Sequence, residues 1–160
     1  MSEIKKVAIL GAGAMGAYFA SCFAEVPEIE TILVADQARA AKLRKDGLIV
    51  NGKTYLFKVV VPEEAQTPVD LVLIALKHHQ LAGALTGMDK LVGNETLFLS
   101  VMNGLESEAI IASKFGNEKV LYAISIGIDA VREGNQITYT KPGKHIFGEA
   151  KNYTLSPKVL

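Results

Sequence analysis

The stretch Val7-Ala8-Ile9-Leu10-Gly11-Ala12-Gly13-Ala14-Met15-Gly16 decides how the rest of the chain is read. Its first four residues are apolar and uncharged, the pattern of a strand buried on both faces. They run into Gly-x-Gly-x-x-Gly, and residues 17–25, free of Pro and Gly, suit a helix. Strand, tight turn and helix in that order predict a dinucleotide-binding unit. Gly11 allows the sharp turn, Gly13 lets the backbone approach a pyrophosphate, and Gly16 lets the helix lie close on the strand. Ala12, Ala14 and Met15 complete the loop, and the N–H groups and positive dipole end of the helix receive the phosphate charge. Asp36 closes the next strand-like run about twenty residues later, where an acid that binds ribose belongs.

Working outward, 160 residues with 49% hydrophobic content and no Trp suit one domain with an aliphatic α/β core. Lys+Arg and Asp+Glu balance at 17 each, so no basic face for nucleic acid or an anionic membrane is expected. Cys22 is the only cysteine, which rules out an internal disulfide; its place in the apolar helix predicts a buried, inert thiol. Residues 1–6 run straight into the first strand, so no signal peptide is expected. No apolar run approaches the roughly 20 residues needed to span a bilayer. A cytoplasmic protein is expected.

Residues 31–36 predict a second strand and 37–46 a helix with Gly47 as its C-cap. Residues 48–50 and 54–61 flank Asn51-Gly52 and predict a hairpin. Residues 69–76 form the next buried strand. Leu81, Leu85, Met88 and Leu91 recur at helical spacing, weakened by Gly83 and Gly87. A strand over 96–102, a helix over 105–115 and a long β-rich run over 120–129 follow. Residues 137–139 and 145–147, separated by Pro142-Gly143, predict a late hairpin. Repeats and low-complexity segments are absent from the sequence. The alternation gives an α/β fold: a Rossmann-type, doubly wound, mostly parallel sheet with late antiparallel strands. Ligand then binds at the carboxyl ends of the strands.

Two further strand ends carry chemistry. Lys77, after Leu76, suits a phosphate or ribose, or marks the edge of the sheet. Asn103, before Gly104, offers a donor and an acceptor to ribose or substrate hydroxyls, or is a left-handed turn residue. His78 and His79 are adjacent and diverge by about 100° on a helix, so they make a poor metal pair and no metal site is expected. His145 has no evident partner. Residues 123–127, with Ser125 central, have the spacing of a nucleophile elbow, but the strand continues where an elbow needs a helix.

With these residues in view, the chain resembles the ketopantoate reductase (2-dehydropantoate 2-reductase) family. The resemblance rests on Gly-Ala-Gly-Ala-Met-Gly, Leu-Arg-Lys-Asp-Gly-Leu at 43–48, and Ile-Ala-Leu-Lys-His-His-Gln at 74–80. Met-Asn-Gly-Leu-Glu at 102–106 and Asp-Ala-Val-Arg-Glu-Gly at 129–134 extend it over nearly the whole chain. It implies a cytoplasmic enzyme that reduces ketopantoate to pantoate with NADP(H), with a homodimer among the assemblies allowed. It assigns residues 11–16 to the pyrophosphate and Lys77 to the adenosine phosphate end. Asn103 is assigned to both cofactor and substrate, and Ala130 to the cofactor. Many members carry Arg after the second strand to meet the 2′-phosphate. Asp36 stands there instead, and its carboxylate favours NAD(H), with Arg39 or Arg44 as compensating charges. The resemblance places the proton-donating lysine in a helical C-terminal domain beyond Leu160, so no catalytic acid is expected within the chain. Residues 1–155 are then the cofactor domain, and 156–160 begin the connection.

Overall fold

The computed structural model describes residues 3–104 and 106–150. β1 (Lys6–Leu10) leads into α1 (Ala14–Ala24), and β2 (Glu30–Val34) into α2 (Gln37–Asp46). Asp36 caps α2 by accepting the Arg39 backbone N–H at 2.9 Å, and Gly47 ends it at φ 62°. Arg44 and Lys45 in the last turn complement its negative end.

The 48–61 region is where the expected hairpin is only half right. β3 (Leu48–Val50) and β4 (Lys53–Tyr55) do pair antiparallel through Asn51 (φ 46°) and Gly52 (φ 80°). Successive left-handed residues are what a tight two-residue turn requires. β5 (Lys58–Val60), however, leaves them and pairs parallel to β2.

β6 (Val69–Ile74) is followed by α3 (His78–Leu85), a 3₁₀ turn over Met88–Leu91, and β7 (Val92–Ser100). The single helix expected through Leu91 stops at Thr86, because Gly87 turns left-handed at φ 80°. α4 (Ser107–Phe115) precedes β8 (Val120–Ile126), then β9 (Val131–Glu133), β10 (Gln136–Thr138) and β11 (Lys144–Gly148).

Seven strands form the main sheet in the order β11-β8-β7-β6-β1-β2-β5, parallel except for β11. This is the Rossmann-type fold that the alternation predicts. The late hairpin is a correction: β10 pairs antiparallel to β9 and parallel to β3 in a separate four-stranded sheet, β4-β3-β10-β9. β11 instead lies along β8, with His145 opposite Ser125. Each run found a better partner than its neighbour in sequence, since three- and five-residue strands carry little pairing preference of their own.

Alternate residues of β1 serve opposite cores. Val7 and Ile9 pack into one cluster with Leu33, Leu71 and Leu73. Ala8 and Leu10 pack into the other with Ile74, Phe98 and Ile111. Both faces of the central strands are thereby covered, and their carboxyl ends open at one edge.

Cys22 departs from its expected burial and is exposed on α1. Partial shielding from water still pushes its thiol above the ordinary pKa. Among the described residues no helix is long and apolar enough to cross a membrane.

Candidate functional site

At the carboxyl edge, the turn from β1 into α1 is fixed by two glycines that admit no side chain. Gly11 has φ 103°, and a Cβ there would lie 2.7 Å from the Ala75 carbonyl oxygen. A Cβ on Gly16 would lie 1.8 Å from the Gly11 carbonyl oxygen. Strand and helix are therefore in backbone contact at this point, as the motif requires.

Gly13 differs. Its φ of −78° is open to any residue, and among the described residues nothing lies within 4 Å of a Cβ built there. It is also the N-cap of the eleven-residue α1, with no side-chain cap and no acid in the first turn. An open concavity against unpaired N–H groups and a positive helix end is a cradle for an anion such as a pyrophosphate.

Above this turn lies a cleft of about 1050 Å³, and a second cavity of about 280 Å³ adjoins it through Met15, Ala75 and Leu76. Gly11, Ala12, Gly13, Ala14 and Met15 line the cleft, and Gly16 sits behind them against Gly11. Asp36 and Lys77 line it too, each as the N-cap of the helix that follows its strand. Asn103 lines the smaller cavity. It is not a left-handed turn residue: Gly104 takes that conformation at φ 109°, and Asn51 is the only non-glycine with positive φ among the described residues. Ala130 lies half-buried between β8 and β9 and lines neither space.

The Asn103 loop rests on a buried relay. The Ser100 hydroxyl donates to Ser107 Oγ at 2.8 Å, and the Ser107 hydroxyl donates to Glu108 Oε2 at 2.8 Å. Ser100 Oγ also accepts the Met102 backbone N–H at 3.4 Å.

Charge at the β2 end of the cleft is mixed. Arg39 donates from Nη2 to the Ala12 carbonyl at 3.2 Å, and Arg132 lines the same end. Burial and the nearby Arg132 pull the Arg39 pKa below its ordinary value, while Asp36 acts in the opposite sense. Arg44, the other candidate counter-charge, is held elsewhere. It donates from Nε and Nη2 to the Val59 carbonyl and pairs with Glu64 at 2.5 Å.

Arg132 is the residue that sequence reasoning missed. It reaches the cleft because β10 pairs with β3 and carries β9 across, and no local signal marks that pairing. His78 faces Glu106 at 3.4 Å, and His79 lines the cleft. His145, without an evident partner in the sequence, lies with Nδ1 3.0 Å from Ser125 Oγ and Nε2 3.0 Å from the Pro142 carbonyl.

This geometry has close counterparts among known proteins. A 2-dehydropantoate 2-reductase of Streptococcus pyogenes is 27% identical over 123 residues, covering 75% of this chain and 40% of the relative. The crystal structure of 2-dehydropantoate 2-reductase from Geobacter metallireducens superposes with a TM-score of 0.77 at 28% identity, over 90% of this chain and 49% of that one. The ternary structure of D-mandelate dehydrogenase with NADH and anilino(oxo)acetate gives a TM-score of 0.82 at 27% identity, over 92% and 49%. The chain thus spans about half the length of these relatives or less. The family model described as ketopantoate reductase PanE/ApbA matches residues 7–152. That match runs from the first core strand past the last, and on it the chain belongs to the PanE/ApbA ketopantoate reductase family of oxidoreductases.

Proposed function

We propose that this chain binds NAD(P)H in the large cleft and belongs to a cytoplasmic reductase that turns a 2-keto acid, ketopantoate first, into the 2-hydroxy acid. The observation that carries the reading is the open cradle at Gly13, contiguous through Met15 with the cavity that Asn103 lines. Residues 11–16 hold the pyrophosphate on the N–H groups of α1. Asp36 accepts from the adenosine ribose, and Lys77 meets a phosphate or ribose hydroxyl. Bound in this way, the reduced nicotinamide supplies a hydride to the carbonyl carbon, and a proton must reach the carbonyl oxygen. Asn103 orients substrate through its amide, holding the carbonyl carbon within reach. The acid that delivers the proton is assigned by the resemblance to a lysine of a following helical domain, which also closes the cleft. Such an acid contributes about a hundredfold to ten-thousandfold.

NAD(H) is the preferred form, with Asp36 disfavouring a 2′-phosphate. The NADH of the D-mandelate dehydrogenase structure is in keeping with this. That neighbour also favours a second reading, a reductase of aromatic 2-keto acids. The test is oxidation of NADH and NADPH, followed by absorbance, by the full-length protein with ketopantoate or with benzoylformate. Ketopantoate-dependent oxidation is the expected result, and faster benzoylformate turnover replaces the first reading by the second. A full-length protein that binds neither dinucleotide refutes both.

A further inference from the structure

Ser125 and His145 form a polar pair that the proposed reading leaves unused. Ser125 lies on β8, lines the smaller cavity beside Asn103, and faces His145 across the antiparallel ladder. The direction of their hydrogen bond follows from a third group. His145 Nε2 lies 3.0 Å from the Pro142 carbonyl oxygen, which can only accept, so in the neutral ring Nε2 carries the hydrogen. Nδ1 is then the acceptor, and the Ser125 hydroxyl must donate to it across 3.0 Å. With its one hydrogen committed, Ser125 Oγ can offer the cavity only lone pairs.

The ring is held in that orientation from several sides. Phe19 packs edge-on at 4.6 Å between centroids and Tyr18 lies at 5.6 Å. The Tyr18 hydroxyl donates to the same Pro142 carbonyl at 3.2 Å. The turn that carries this carbonyl lies directly against β8. Gly143, at φ 72°, lies so close to β8 that a Cβ would be 2.6 Å from the Ile126 carbonyl oxygen.

We propose that Ser125 is a binding residue for the nicotinamide carboxamide, accepting a hydrogen bond from its amide NH₂, and that His145 is a positioning residue that fixes Ser125 as an acceptor. The proposal rests on the reading above that a nicotinamide dinucleotide lies in the cleft. Across the strand order, Asp36 stands at β2, the glycine turn at β1, Lys77 at β6, Asn103 at β7 and Ser125 on β8. A dinucleotide with adenosine ribose at Asp36 and pyrophosphate at Gly13 therefore brings its nicotinamide toward Asn103 and Ser125. The carboxamide is the group on that ring which presents N–H donors.

The test compares two probes on the full-length protein by calorimetry: the oxidised nicotinamide dinucleotides, and their 3-acetylpyridine counterparts, in which a methyl group replaces NH₂. A hydrogen bond of ordinary strength corresponds to about a threefold to tenfold preference of the parent protein for the carboxamide form. Ser125→Ala should bring that ratio to about one while leaving affinity for ADP-ribose, which has no nicotinamide, unchanged. Ser125→Thr, which keeps the hydroxyl on a β-branched residue suited to a strand, should retain the ratio. His145→Phe should lower it with ADP-ribose again unaffected, whereas a purely structural role would weaken all ligands alike. A parent ratio of one, or a ratio that survives Ser125→Ala, overturns the assignment while leaving the dinucleotide site standing. Failure of the parent to bind either dinucleotide overturns the site itself.

Discussion

Replacing Gly13 by Ala separates binding from folding in a way that no other position of the glycine turn allows. In the free protein the added methyl group meets nothing among the described residues within 4 Å, and φ −78° suits Ala. Loss of backbone freedom in the unfolded chain stabilises by about 0.4–1 kcal/mol. Against this, Ala is a poorer N-cap than Gly by about 0.5–1 kcal/mol. The two offset, and the melting temperature should stay within about 3 °C of the parent. In the proposed dinucleotide complex the methyl group would occupy the space assigned to the pyrophosphate. Displacing it from even one charge-assisted N–H bond costs about 1.5–3 kcal/mol, or a factor of about ten to 150 in affinity. Gly16→Ala provides the contrast. Its Cβ would overlap the Gly11 carbonyl oxygen at 1.8 Å, so α1 must move off β1. Backbone overlap of this kind costs about 3 kcal/mol or more and lowers the melting temperature by about 6–12 °C. Calorimetric titration with NADH and NADPH, beside thermal melts, reads both effects. If Gly13→Ala binds as tightly as the parent, the pyrophosphate does not lie on this turn. If it melts far below the parent, the space over Gly13 is not open.

Cofactor choice should reflect the mixed charge at the β2 end of the cleft: NADH binds more tightly than NADPH, by less than about tenfold at moderate salt. Arg132→Ala should widen the gap and Asp36→Asn should narrow it; tighter binding of NADPH by the parent refutes the role given to Asp36. Asp129 accepts from the Thr140 hydroxyl at 2.5 Å and from the backbone N–H groups of Lys141 and Thr140 at 2.8 Å each. These bonds lower its pKa from 3.8 to about 2. Because the folded value is depressed, the stability it contributes is present above pH 3.8 and lost as pH falls toward 2. A carboxyl NMR titration should give that low midpoint, and an ordinary one would show that the Asp129–Thr140 clasp does not form. Cys22, exposed but with a raised pKa, should react with a disulfide reagent more slowly at neutral pH than free cysteine does, and faster reaction would contradict its placement.

The parts of this molecule that are local in sequence were legible from it. The glycine turn, the C-cap of α2 at Gly47 and the Asn51-Gly52 turn each follow from residues within a few positions of one another. So do the central strands, whose apolar runs at 7–10 and 71–74 are buried on both faces. What escaped depends on distant pairing. β5 was expected to finish a hairpin, but Val59 and Val60 gain more by extending the main sheet beside Leu33 and Val34. β10 and β11 were expected to pair with each other, yet each completes a different sheet. The site divided in the same way. Its glycines, Asp36, Lys77 and Asn103 stand at strand ends that pattern reading can find. Arg132 reaches it, and His145 reaches Ser125 beside it, only through those long-range pairings.

The parallel pairing of β3 with β10 also orders events during synthesis. Asn51 and Tyr139, which exchange two hydrogen bonds across this junction, are 88 residues apart. At about 5–20 residues per second a ribosome needs roughly 4–18 s to make the intervening chain. Through that interval the β3–β4 hairpin has one strand edge without its eventual neighbour, while β1, β2, β5 and β6 can already assemble. Arg132 is therefore the last residue lining the cleft to be made, on the β9–β10 piece of chain that closes this edge. The nascent protein acquires its glycine turn well before it acquires that arginine.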